Sequence, residues 1–153
     1  MKRRKVMALL GGVAAGPLAA QAQYAAATVS PVTKLDVIAT MTVRPGKLEG
    51  FKRQAAECIR QTKQKDKGTL RYDWFMTDDE TAVEILEAYE SSDAWIQHRV
   101  NIGAALDKLF GEFADNHRVS VYGNPSQKLL DMANATMAGR IKWYSFLEGL
   151  EAV

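Results

Sequence analysis

His98 comes nearest, by residue type and position, to acid–base chemistry. It stands three residues after Trp95 and four before Ile102, on an apolar stripe that continues through Leu106, Leu109 and Phe113 at helical spacing. An imidazole, with an unperturbed pKa of about 6.5, is the natural base near neutral pH. The same placement suits a core histidine satisfied by a backbone carbonyl or by Glu87. On one strand Tyr72 and Trp74 share a face, with Arg71 and Asp73 on the other; on the next, Glu87 and Tyr89 share a face and can meet their neighbours across a hairpin. If the aromatic face is the one the helices cover, Tyr72 can hydrogen-bond a ligand hydroxyl and Trp74 can line an apolar pocket. As plain core aromatics they would need only satisfied polar tips. The candidate catalytic residue is His98, and the candidate substrate-binding residues are Tyr72, Trp74, Glu87, Tyr89 and Trp95. Glu84 and Glu90 are expected to face solvent, and Arg99 and Asn101 read as ordinary polar helix positions.

Other chemistries find little support. There is no G-x-G-x-x-G, P-loop or G-x-S-x-G segment, and the two histidines, His98 on a helix and His117 at a strand entrance, form no metal-ligand set with cysteine. Cys58 is the single cysteine, so no intramolecular disulfide can form, and its helical position predicts a small buried hydrophobe.

The elements that must position these residues follow from pattern. Leu35 to Val43 is a β-branched run ended by Pro45-Gly46. Leu48, Phe51, Ala55, Ile59 and Thr62 recur at helical spacing and close on Lys63, Lys65, Lys67 and Gly68, a cationic last turn with a glycine stop. Arg71 to Met76 and Ala82 to Tyr89 form a hairpin. Ser91 and Ser92 offer an N-cap to the His98 helix, Arg118 to Tyr122 is a short strand, Gln127 to Met137 a short helix and Ile141 to Leu147 a last strand. The order βαββαβ, with a helix and strand appended, predicts a ferredoxin-like α+β sandwich with both main helices on one face of an antiparallel sheet. Strand one is apolar on both faces, Val37, Ala39 and Met41 against Ile38, so the uncovered face calls for a second subunit, and a homodimer is expected. Trp143, Tyr144 and Phe146 in the last strand either edge the pocket or seal that contact.

Lys2, Arg3, Arg4 and Lys5 precede an apolar, glycine-broken run to Leu18, too short to span a bilayer, and Ala20-Gln21-Ala22 fits a signal-cleavage pattern. Residues 1–22 therefore read as a cleaved export signal, with twin-arginine character in Arg3-Arg4, leading to the periplasm or the exterior. Residues 23–34 read as a flexible leader, 35–123 as the main domain and 124–153 as a helix–strand extension of it. Losing the four basic residues moves the formal net charge from +2 to about −2, which removes any basic nucleic-acid footprint. No later segment is apolar enough to hold the mature chain in a membrane.

Val43-Arg44-Pro45-Gly46-Lys47, the Gly68-x-x-x-Tyr72 spacing, Leu86-Glu87-Ala88-Tyr89-Glu90, and Ala94 with His98 together resemble the antibiotic biosynthesis monooxygenase domain, a dimeric α/β barrel family that includes quinol monooxygenases. The resemblance implies oxidation of a small phenol or quinol by O₂ with no cofactor, neither metal nor flavin. A base would remove the phenolic proton, the anion would pass an electron to O₂, and the radicals would recombine at carbon. Family members often carry a second histidine five positions after the first, where this chain has Gly103. The related haem-degrading branch uses an Asn, a Trp and a His where Ile38, His98 and Lys108 fall here. The alternative of another class is a non-catalytic dimeric module that binds a small apolar ligand or regulates a partner.

Overall fold

The computed structural model describes residues 33–150; residues 1–22, read as an export signal, and all of the segment read as a leader except Thr33 and Lys34 lie outside them. In β1 (Leu35–Val43), Leu35, Val37, Ala39 and Met41 alternate into the core. Gly46, at φ 74°, turns the chain in a left-handed conformation that carries no Cβ penalty for glycine. Helix α1 (Leu48–Lys65) then buries Phe51, Ala55, Cys58 and Thr62 along one stripe, with Lys63 and Lys65 against its negative end. β2 (Thr69–Met76) and β3 (Ala82–Tyr89) form the hairpin, and its register sets Tyr72 opposite Glu87 and Trp74 opposite Ile85.

The hydroxyl of Ser91 accepts from the amide of Ala94 at 3.2 Å and so caps α2 (Ser92–Lys108), which buries Trp95, His98, Ile102, Ala105 and Leu106. Gly68 lets this helix start close to the sheet: a Cβ there would stand 2.6 Å from that of Ala94. The helix runs into a π-helical turn over Leu109–Phe113, followed by β4 (Ala114–Tyr122), α3 (Gln127–Thr136) and β5 (Ile141–Tyr144).

The sheet has five strands in the order β2-β3-β1-β4-β5, antiparallel except where β5 joins β4 in parallel. With α1 and α2 packed on one face this is the ferredoxin-like α+β sandwich expected from the element order. Leu129, Ala133 and Met137 carry α3 into the same core, where each fully buried large side chain stabilises the fold by roughly 1.5–3 kcal/mol. The opposite face shows Phe75, Tyr122 and Tyr144 to solvent, the two tyrosines stacked at 4.9 Å between ring centroids.

Three strand boundaries differ from expectation. β2 starts at Thr69 rather than Arg71, and β5 stops at Tyr144, leaving Leu147 exposed rather than paired. β4 starts at Ala114 rather than Arg118, because a register shift between Thr40 and Thr42, with Asn116 at φ 56°, admits a bulge. Asp115-Asn116-His117 shows no apolar alternation, yet Asp115 pairs with Thr42 beside the bulge that Asn116 and His117 form, and His117 sits inside a strand rather than at its entrance.

Candidate active site

His98 projects from α2 toward the sheet, and its Nδ1 lies 2.6 Å from Oδ2 of Asp66, the residue just past the end of α1. The two side chains are only 2% and 4% exposed. The Asn101 amide donates to Oδ1 of Asp66 at 2.7 Å, and the Thr69 hydroxyl donates to Oδ2 at 2.7 Å. Burial pushes the Asp66 pKa up, but these bonds, led by that from His98, outweigh it and hold the carboxyl below its ordinary value. An ionised carboxylate only accepts, so Nδ1 carries a proton, and in the neutral ring Nε2 keeps the lone pair. Asp66 thus fixes both the tautomer and the orientation of the imidazole.

His98 borders a narrow cavity of about 20 Å³ between helices and sheet, shared with Trp95 and Arg99 of α2, Tyr72 of β2, Glu87 of β3 and His117 of β4. That is room for a single water. The ring of Tyr72 meets the imidazole edge-on at 4.8 Å between centroids, and that of Tyr89 lies at 5.3 Å. The hydroxyl of Tyr89 donates to Oε2 of Glu87. Burial pushes the Glu87 carboxyl above its ordinary pKa, opposed by nearby His98 and by the Tyr89 bond. Burial, followed by the neighbouring Glu87 charge, drives both tyrosine phenols well above their ordinary range, so they act as hydrogen-bond donors rather than bases.

Four of the six candidates, Tyr72, Glu87, Trp95 and His98, therefore border one cavity, and Tyr89 stands behind it, bonded to Glu87. Trp74 does not border it. It packs on Phe51 and Tyr72 at 6.2 and 5.6 Å, with its Nε1 buried and unpartnered. The partner of His98 is Asp66, neither a backbone carbonyl nor Glu87. Trp143 packs on Trp95 at 6.3 Å inside the molecule. Burial raises the Cys58 thiol to about 12, which leaves it no nucleophile at neutral pH.

Asp66, Asn101, Arg99 and His117 were not legible as site residues. Asn101 did carry a signal, standing three places after His98 on the same helical face. His117 stacks on Phe110 of the π-helical turn at 4.3 Å, and burial, with Arg99 and Arg140 nearby, lowers its pKa to about 4. Arg44 pins that turn, its guanidinium donating to the carbonyls of Phe110 and Gly111 and to Asp115. Among the described residues no cluster of three or more His, Cys, Asp or Glu could hold a metal, and no helix is long and apolar enough to cross a membrane.

Residues 35–101 match the model of the antibiotic biosynthesis monooxygenase family. Among solved structures it is similar to MupZ from Pseudomonas fluorescens, at 22% identity and a TM-score of 0.62 over 78% of this chain and 94% of that one. It is also similar to a Caulobacter crescentus protein provisionally assigned as an antibiotic biosynthesis monooxygenase, at 22% identity and 0.55 over 63% and 94% of the two chains. Rv0793 from Mycobacterium tuberculosis matches at 23% and 0.53, over 61% and 97%. At these identities the likeness establishes the fold. No curated protein matches the sequence.

Proposed function

We propose that the protein is a cofactor-independent monooxygenase that oxidises a small phenol or quinol with O₂, with His98 as the base. The observation that carries this is the buried Asp66–His98 pair, whose imidazole borders a cavity edged by Tyr72, Glu87 and Trp95. In the reaction His98 takes the phenolic proton and the resulting imidazolium is stabilised by Asp66. The phenolate gives one electron to O₂, the phenoxyl radical and superoxide join at an unsubstituted ring carbon, and the peroxide takes up the proton. Loss of water then leaves a carbonyl at that carbon. A hydroquinone and O₂ become a hydroxyquinone and water, all four electrons coming from the substrate. In this reading Tyr72 donates to the substrate oxygen, and the apolar walls keep out bulk water.

Turnover under ¹⁸O₂ tests the reaction: one labelled oxygen should enter the product, and a product free of label would refute it.

The small cavity favours a second reading, a binding or regulatory module, because a quinol does not fit the space as it stands. The enzyme reading requires the cavity to widen, and the Phe110–His117 wall is the part facing an outer groove. Binding of a quinol without O₂ consumption would support the module. The uncovered sheet face, where Phe75, Tyr122 and Tyr144 lie among Arg71, Asp73, Glu84 and Arg118, suits a second copy of the chain, and export through residues 1–22 would place the reaction outside the cytoplasm.

A further inference from the structure

Phe110 and His117 line two spaces at once: the inner cavity and an outer groove of about 400 Å³ between the π-helical turn, β4 and the end of α3. Their stacked rings form the partition between the two. The groove carries Arg140, and the cavity behind it carries Arg99; Arg118 edges the groove, but its pairing with Thr40 turns its side chain to the opposite face of the sheet. Neither the Arg99 nor the Arg140 guanidinium forms an ion pair among the described residues, and of the two only Arg140 is hydrogen-bonded, to the carbonyl of Thr136. Asp115, the carboxylate of the groove, is engaged by Arg44. The Nδ1 of His117 is buried at the partition without a partner. A chain whose mature part is mildly acidic thus concentrates unpaired cations along one path to its site. Another outer groove touches the cavity wall at Tyr72 and is flanked by Asp66 and Asp73 as well as Lys63 and Arg71, and a third touches it at Met41 with Glu84 as its charged residue; neither has such an excess.

We infer that the Phe110–His117 partition is the way in and that the substrate carries a carboxylate, drawn by Arg140 at the mouth and held by Arg99 while its phenolic hydroxyl faces His98. The inference rests on the oxidation proposed above, whose substrate class it narrows. Glu87, the carboxyl inside the cavity, is bonded by Tyr89 and displaced by burial toward its neutral form, which lowers the repulsion an acidic ligand would meet. Arg99 is adjacent in sequence to His98, so one ligand spanning both would bring its hydroxyl to the base.

The test compares 2,5-dihydroxybenzoate with its methyl ester, by calorimetry and by quenching of tryptophan fluorescence, with O₂ excluded. The acid should bind about tenfold or more tightly than the ester, as a charge-assisted contact requires. That ratio should fall to near one in Arg99→Gln and narrow in Arg140→Gln, whose exposed position tolerates substitution. Phe110→Ala should speed association. Equal affinity for acid and ester, no binding of either, or an unchanged ratio in all variants would overturn the inference. O₂ uptake with neutral quinols but no preference for the acid would defeat the inference and leave the reaction standing. Preference for the acid with no O₂ uptake from any quinol would do the reverse.

Discussion

Nδ1 of His98 and the carboxylate of Asp66 meet at 2.6 Å across the gap between the middle of α2 and the end of α1, two side chains almost closed to solvent. Helix packing, rather than local sequence, makes this contact. It gives a buried imidazole at the cavity wall a defined tautomer, with Nε2 as the nitrogen that Asp66 does not engage.

Asp66→Asn should therefore act on the chemical step. An amide in that place can donate to Nδ1, which moves the ring proton to Nε2 and removes the lone pair from the cavity. The expected result is a loss in kcat of about 10²–10⁴-fold with KM little changed, read by steady-state kinetics on an oxidisable quinol.

Glu87→Gln should change stability in a pH-dependent way. A carboxyl with a raised folded pKa contributes fully below its unfolded value and loses that contribution as pH rises through the folded one. The variant should match wild type in urea unfolding near about pH 4 and exceed it near about pH 8, since the amide accepts from Tyr89 without a buried charge.

His117 has the opposite sign. Its folded pKa, about 4, lies below the 6.5 of a free imidazole, so its contribution is complete above 6.5 and is lost as pH falls from 6.5 toward 4. Wild type should lose up to about 3 kcal/mol over that window relative to His117→Phe, measured by denaturant titration at each pH.

Gly68→Ala should destabilise the fold by about 1–3 kcal/mol, because the new methyl meets Ala94 and the carboxylate of Glu90. A shift in the urea midpoint at unchanged slope would register it.

The fold was legible because its core strands and both main helices write their buried faces in the sequence. Leu35, Val37, Ala39 and Met41 alternate, and Trp95, His98, Ile102 and Leu106 recur at helical steps. The start of β4 was not, since the bulge at Asn116 depends on pairing with β1 rather than on local pattern. The cavity's aromatic and acidic wall could be read from strand faces, which place Tyr72 opposite Glu87. Asp66 could not: between Lys65 and Lys67 it reads as part of a solvated charged turn, and only the crossing of α1 and α2 brings it to His98. Trp74 shares the face of Tyr72 as expected, but lies too far along the strand to reach the cavity.

O₂ consumption by metal-free, flavin-free protein over a panel of quinols, wild type beside His98→Ala, tests the central claim most directly. If His98 is the base, wild type consumes O₂ with at least one quinol and the variant is slower by about 10²-fold or more while keeping its cooperative thermal transition. Equal uptake by the two proteins would contradict it.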